Sequence, residues 1–119
     1  MMLVDTSVWV EHLRHGLPAL ATALDEGQVL MHPFVLGELA CGNLRNRAEL
    51  LRLLSDLPPA PTVTDCEALA FIEAHQLMGR GIGYIDVHLL AATALAAPAT
   101  LWTLDKRLGE IAGEMAIVA

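Results

Sequence analysis

The feature that most constrains the fold is the alternation of short apolar runs with longer helix-forming segments. Runs at 2–5, 28–32 and 99–105 are short, apolar and bounded by turn formers, so they predict buried strands. Between them lie segments that begin at prolines or capping residues, which predicts helices. Strands that alternate with helices over short loops indicate an α/β domain with a mainly parallel sheet, covered by helices on both faces.

Two further segments extend the predicted sheet. The proline-rich stretch at 58–63 is expected to lead into a short edge strand, and 115–119 is expected to be a last strand. We therefore predict a central sheet of four to five strands. A chain of 119 residues without repeats or a change in composition indicates one domain, residues 1–119.

The lengths of the apolar runs and the spacing of the cysteines indicate the cellular compartment. No uncharged apolar run reaches the roughly 20 residues that span a membrane, and no signal peptide is recognisable, so we expect a soluble, cytoplasmic protein. Cys41 and Cys66 have no closely spaced partner, which argues against a disulfide framework or a zinc knuckle. Both lie in predicted helices and are expected to be buried thiols.

Four acidic residues are predicted to meet at one edge of the sheet. Asp5 and Asp105 end predicted strands, Asp86 opens a helix after a glycine-rich loop, and Glu38 lies in the first turns of a helix that follows a strand. Ligands of parallel sheets bind beyond the carboxyl ends of the strands. The apolar neighbours of Glu38 also predict a buried position, where an unpaired acid is costly.

Clustered carboxylates repel one another unless a cation binds them. Oxygen ligands favour Mg²⁺ or Mn²⁺ over zinc, and such an ion can orient a phosphodiester and help to deprotonate an attacking water. The pattern therefore predicts phosphodiester hydrolysis. The net charge of −7 disfavours a nucleic-acid partner, but bound cations would reverse the local field. Taken singly, Asp5 and Asp86 are equally typical of helix caps.

The same residues resemble a known family. "LVDTSVWV", "LGELACG", "GYIDVHLLAAT" and "WTLDKRL" are similar, in this order, to the four acidic motifs of PIN-domain nucleases, and most of all to VapC-type toxins. The resemblance covers essentially the whole chain. It implies a PIN-like domain with metal-dependent ribonuclease activity on RNA, often tRNA or rRNA, leaving a 5′-phosphate and a 3′-hydroxyl. It also implies a homodimer that is silenced by a small VapB-like antitoxin.

Roles carry over to the matching positions. The resemblance implies that the catalytic and metal-binding residues are Asp5, Glu38, Asp86 and Asp105. Thr6 or Ser7 would supply the hydroxyl that the family has beside its first acid. Where some members have a further acid after the fourth motif, this chain has Lys106 and Arg107, which are expected to contact phosphate instead of a second metal.

Other residues admit two interpretations each. Arg80 in the glycine-rich loop is a candidate for RNA contact, and Trp9 and Trp102 either pack or stack on bases. His12 and His15 could bind zinc with Glu11 but are more typical of a surface. Apolar helices at 17–26 and 44–57 are candidates for an antitoxin groove.

Rival α/β enzymes fit less well. A signalling receiver needs paired acids after its first strand, where this chain has Asp5 and Thr6. A phosphatase of the haloacid dehalogenase type needs an aspartate where Ser7 stands. A catalytically inactive PIN-like module that binds RNA or protein remains the alternative.

Overall fold

The computed structural model describes residues 1–119 and contains a small parallel sheet. Its strands are β1 (Met2–Val4), β2 (Val29–Leu30) and β3 (Thr100–Trp102), in the order β2-β1-β3. Met2 of the central strand pairs with Val29 on one side and with Thr100 on the other. The predicted α/β class with parallel strands is therefore confirmed.

Seven helices surround the sheet, and the sequence explains where most of them begin. Pro18 and Pro33 lie in the first turns of α2 and α3, while Asp5, Thr64 and Asp105 cap α1, α5 and α7 through their side chains. The helices are α1 (Thr6–His15), α2 (Pro18–Asp25), α3 (Pro33–Ala40), α4 (Arg47–Ser55), α5 (Asp65–His75), α6 (Tyr84–Leu95) and α7 (Lys106–Glu114).

The prediction of four to five strands is wrong, because the two outer segments pair with the sheet at one position each. Pro59 forms an isolated bridge with Met31, and Val118 forms one with Leu101. Prolines around position 59 lack the N–H groups that would continue a ladder. At the other edge, Ala116 has a positive φ of 58°, so the chain turns just before it reaches β3.

The core is built from aliphatic side chains between the sheet and the helices. Residues 87–93 of α6 are all buried, so this helix runs through the interior rather than along the surface. Trp9 is 2% exposed and packs in this core. Cys41 and Cys66 are both exposed, which corrects the expectation of buried thiols. No helix has the length and apolar character that crossing a membrane requires.

The chain path determines where a ligand can bind. From β1 the chain passes to β2 on one side of the sheet, and it later returns to β3 on the other side. The carboxyl end of β1 is therefore the point at which the strand order reverses, where α/β sheets form their ligand crevice. Asp5 follows β1 there, and its backbone N–H donates to the carbonyl of Trp102 at 2.9 Å.

Candidate active site

Asp5 is the most enclosed of the four acids. It is 7% exposed and caps α1, because Oδ1 accepts a hydrogen bond from the backbone N–H of Thr6 at 2.7 Å. Its Oδ2 accepts bonds from Ser7 Oγ at 2.8 Å and from Thr103 Oγ1 at 2.7 Å. These neutral donors orient the carboxylate without cancelling its charge. The cap uses Oδ1 only, so the helix-cap interpretation does not exclude the site interpretation.

Glu38 reaches the same region from α3. Thr6 Oγ1 donates a hydrogen bond of 2.7 Å to Glu38 Oε1, so the residue beside Asp5 connects α1 to α3. The expectation that Glu38 is buried is wrong, because Val35 and Leu39 turn towards the core and leave Glu38 exposed at the rim. Of the two predicted hydroxyls, Ser7 is the one that bonds to Asp5, whereas the hydroxyl of Thr6 bonds to Glu38.

Asp105 is attached to Asp5 through a residue that the sequence did not single out. Thr103 Oγ1, which donates to Asp5, also accepts a bond of 3.0 Å from the backbone N–H of Asp105. The loop is held further by the N–H of Leu104, which donates to Ser7 Oγ at 3.0 Å. Asp105 itself caps α7 through the N–H of Leu108 at 2.9 Å. A hydroxyl two residues before the acid in "WTLD" was the only signal for Thr103.

Asp86 lies in the first turn of α6 and is half-buried. Its Oδ2 accepts a bond of 3.1 Å from the backbone N–H of Gly83. Burial raises the pKa of Asp86 above its usual value, and the negative charges of Asp5, Asp105 and Glu38 raise it further, against the opposing effect of the Gly83 bond. The other three acids therefore lie close enough to Asp86 for their charges to act on it.

The donor chemistry fits a hydrated divalent cation. None of the four carboxylates forms an ion pair with a lysine, arginine or histidine, so the cluster has no cation of its own. No three His, Cys, Asp or Glu side chains are arranged to hold an ion directly. Mg²⁺ commonly keeps several water ligands and takes only one or two carboxylates from the protein. The oxygen-only set is compatible with that mode of binding and not with a zinc cage.

The three basic residues that were predicted to contact RNA differ in their surroundings. Lys106 and Arg107 are exposed in the first turn of α7, directly after Asp105. Arg80 is engaged by Glu114, with bonds of 2.7 and 3.2 Å that raise the pKa of the guanidinium and lower that of the Glu114 carboxyl. Glu114 was not anticipated from the sequence, because 34 residues separate the partners.

The histidines near the N-terminus do not form a zinc site. His15 Nδ1 lies 3.0 Å from Glu11 Oε1, but His12 Nδ1 is occupied by the backbone N–H of Leu17 at 3.0 Å. This leaves an exposed pair on α1 without a third ligand.

Comparisons with known proteins agree with the geometry. The profile of the PIN domain family matches residues 2–114. Ribonuclease VapC32 of Mycobacterium tuberculosis strain CDC 1551 / Oshkosh is 43% identical over 117 residues, which is 98% of this chain and 94% of the relative. Ribonuclease VapC32 of strain H37Rv of the same organism has the same identity and coverage.

Proposed function

Because the chain belongs to the PIN-domain family, as a VapC-type ribonuclease, we propose that it is a toxin that hydrolyses RNA phosphodiesters with Mg²⁺ or Mn²⁺. The metal-binding and catalytic residues would be Asp5, Glu38, Asp86 and Asp105. The observation that carries the proposal is the hydrogen-bond network of Ser7, Thr103 and Thr6. These residues connect Asp5, Glu38 and Asp105, which come from separate segments and pair with no basic side chain.

The protein's contribution is mainly positional. When bound, the metal supplies positive charge that activates water and neutralises the leaving oxygen. Asp5 is held by three donors and offers a fixed carboxylate. Asp86 uses Oδ2 for the Gly83 bond, which leaves Oδ1 to orient a water and receive its proton.

Binding of RNA to an acidic protein needs local positive charge. Lys106 and Arg107 begin α7 beside Asp105, where they would contact phosphates that flank the cut. Arg80 would join them when Glu114 releases it. We propose tRNA or rRNA in the cytoplasm as the substrate, with a product that carries a 5′-phosphate and a 3′-hydroxyl.

A test is to incubate the purified protein with total cellular RNA and Mn²⁺, with and without chelator, and to map the new 5′ ends. Asp5→Asn keeps the shape and the cap of α1 but removes the charge, so it should lower cleavage by at least about a hundredfold. Asp25→Asn, which changes an exposed acid at the end of α2, is the matched control. Equal cleavage by Asp5→Asn and the parent protein would refute the catalytic assignment of Asp5, whereas no metal-dependent cleavage by the parent protein would support the inactive binding module.

We further propose regulation by a VapB-like antitoxin and assembly as a homodimer. A groove of about 670 Å³ lies between α1, α3 and residues 42–50, with Leu13, Leu39 and Leu50 among its apolar walls. Glu38 lines the same groove, so a helix bound there would reach the acidic cluster. The groove differs from the expected one, because α2 does not line it. Co-expression with a VapB-like antitoxin, followed by co-purification and a measurement of whether cleavage is inhibited, would test this partner.

A further inference from the structure

Two large aromatic rings are exposed on the helices that carry Glu38 and Asp86. Phe34 is 39% exposed and Tyr84 is 41% exposed, whereas Trp9 is buried in the core. The protein has few aromatic residues, only 4% of the chain, so two exposed rings in one place need an explanation.

Phe34 adjoins the site directly, and Tyr84 is linked to it through Phe34 and His88. Phe34 precedes Glu38 by four residues on α3, so the two lie on one face of that helix. Tyr84 is the first residue of α6 and lies on the same face as His88, four residues later. The buried imidazole of His88 lies between the rings, 4.8 Å from the centre of Phe34 and 4.7 Å from the centre of Tyr84.

The rings are held in place before any ligand arrives. Both meet His88 edge to face, at interplanar angles of 69° and 87°. The hydroxyl of Tyr84 donates to Asp65 Oδ1 at 2.7 Å, which anchors α6 to the start of α5. A fixed ring loses little conformational freedom when a second ring stacks on it.

We propose that Phe34 and Tyr84 form a stacking platform for an unpaired nucleobase next to the scissile phosphate. The inference rests on the proposed ribonuclease function and narrows its substrate to RNA that is single-stranded, or whose base is splayed out, at that position. Stacking suits this chain because its net charge of −7 limits the affinity available from phosphate contacts. Every base has a π-face, and unstacked bases are what proteins reach most easily in RNA.

The experiment measures cleavage of a short RNA that the wild-type protein cuts, together with a set of copies that each carry one abasic nucleotide near the cut. In the wild type, we expect loss of the stacked base to lower kcat/KM roughly tenfold at one or two positions. Phe34→Leu and Tyr84→Leu should lower kcat/KM on the intact RNA by a similar factor and abolish the abasic penalty. The loss should fall mainly on KM, because stacking stabilises the bound RNA before the reaction.

Matched variants separate stacking from folding. Phe34→Tyr and Tyr84→Phe keep a ring and should retain the abasic penalty, whereas Leu69→Ala changes an exposed apolar residue of α5 and should leave cleavage unchanged. An unaltered abasic penalty in both leucine variants would overturn the platform. If the leucine variants changed only the oligomeric state, this result would also overturn the platform, and it would assign the rings to an interface between two copies.

A second measurement needs no cleavage. RNA that contains 2-aminopurine at the sensitive position should lose fluorescence on binding to Asp5→Asn, and this quenching should disappear when Phe34→Leu is added. If the wild type cleaves no RNA, the proposed function fails, and 2-aminopurine is then placed at each position of a short single-stranded RNA in turn. Absence of quenching at every position would overturn the platform on its own.

Discussion

Protonation of the buried histidine His32 is expected to destabilise the protein in mild acid. His32 is 1% exposed and caps α3, where its Nδ1 accepts the backbone N–H of Phe34 at 3.0 Å. Burial, with a smaller electrostatic contribution from the neighbouring His88, lowers the pKa of His32 from 6.5 to about 4. A proton bound at Nδ1 would also remove the hydrogen bond from the Phe34 N–H and place a positive charge at the N-terminus of α3.

The size and sign follow from proton linkage. Above pH 6.5, His32 is neutral in both the folded and the unfolded chain and costs no stability. Between pH 6.5 and about 4 the unfolded chain binds a proton that the folded chain does not, so the free energy of unfolding falls as the pH falls. A difference of about 2.5 pKa units corresponds to a loss of at most about 3 kcal/mol, complete near pH 4. Against a total stability of about 5 to 15 kcal/mol, this loss is large.

Urea denaturation at pH 7, 6, 5 and 4, followed by tryptophan fluorescence and circular dichroism, measures the effect. His32→Asn supplies an amide oxygen for the cap but does not titrate, so its stability should change by about 3 kcal/mol less than that of the wild type over this range. His15→Asn, which removes an exposed imidazole, is the control and should keep the wild-type pH dependence. Parallel pH profiles for the wild type and His32→Asn would refute the reasoning.

Three further predictions concern the site and its loop. Thr103→Val removes the hydroxyl that orients the buried carboxylate and should lower kcat/KM about tenfold, whereas Thr103→Ser should retain activity in the same cleavage assay. Glu114→Gln should strengthen RNA binding at low salt, because it releases Arg80, and Arg80→Gln should weaken RNA binding. Fluorescence anisotropy at several salt concentrations measures both effects. Weaker RNA binding by both variants would contradict the prediction. Gly81→Ala should destabilise the fold by about 1 to 2 kcal/mol in urea denaturation, because φ is +81°, a conformation that strains residues with a Cβ; unchanged stability would contradict it.

The candidate acids were predictable because each lies at a boundary between elements. Asp5 and Asp105 follow apolar runs, and both prove to be helix caps at the carboxyl ends of parallel strands. Short-range patterns encode such boundaries, since capping and strand ends depend on neighbouring residues. Thr103 was not predictable, because its role depends on a bond to a residue 98 positions away.

The two outer segments that were predicted to be strands show what the sequence did not determine. Apolar composition at 115–119 suggested a strand, but the turn at Ala116 permits one bridge only. Pairing beyond that bridge depends on how the chain leaves α7, which composition does not specify. Similarly, the exposure of Cys41 and Glu38 reflects which face of α3 the neighbouring helices leave uncovered.

By itself, the sequence determined the α/β class, the beginnings of most helices and the order of the four acids, because these depend on local propensity, capping and the spacing of apolar residues. Only the tertiary structure decided that Thr103 holds Asp5, that Thr6 bonds to Glu38, that Arg80 pairs with Glu114, and that Phe34 contacts His88. The physical reason is that these contacts join residues far apart in the chain. Their geometry depends on how packed helices and strands bring side chains within hydrogen-bond or van der Waals distance.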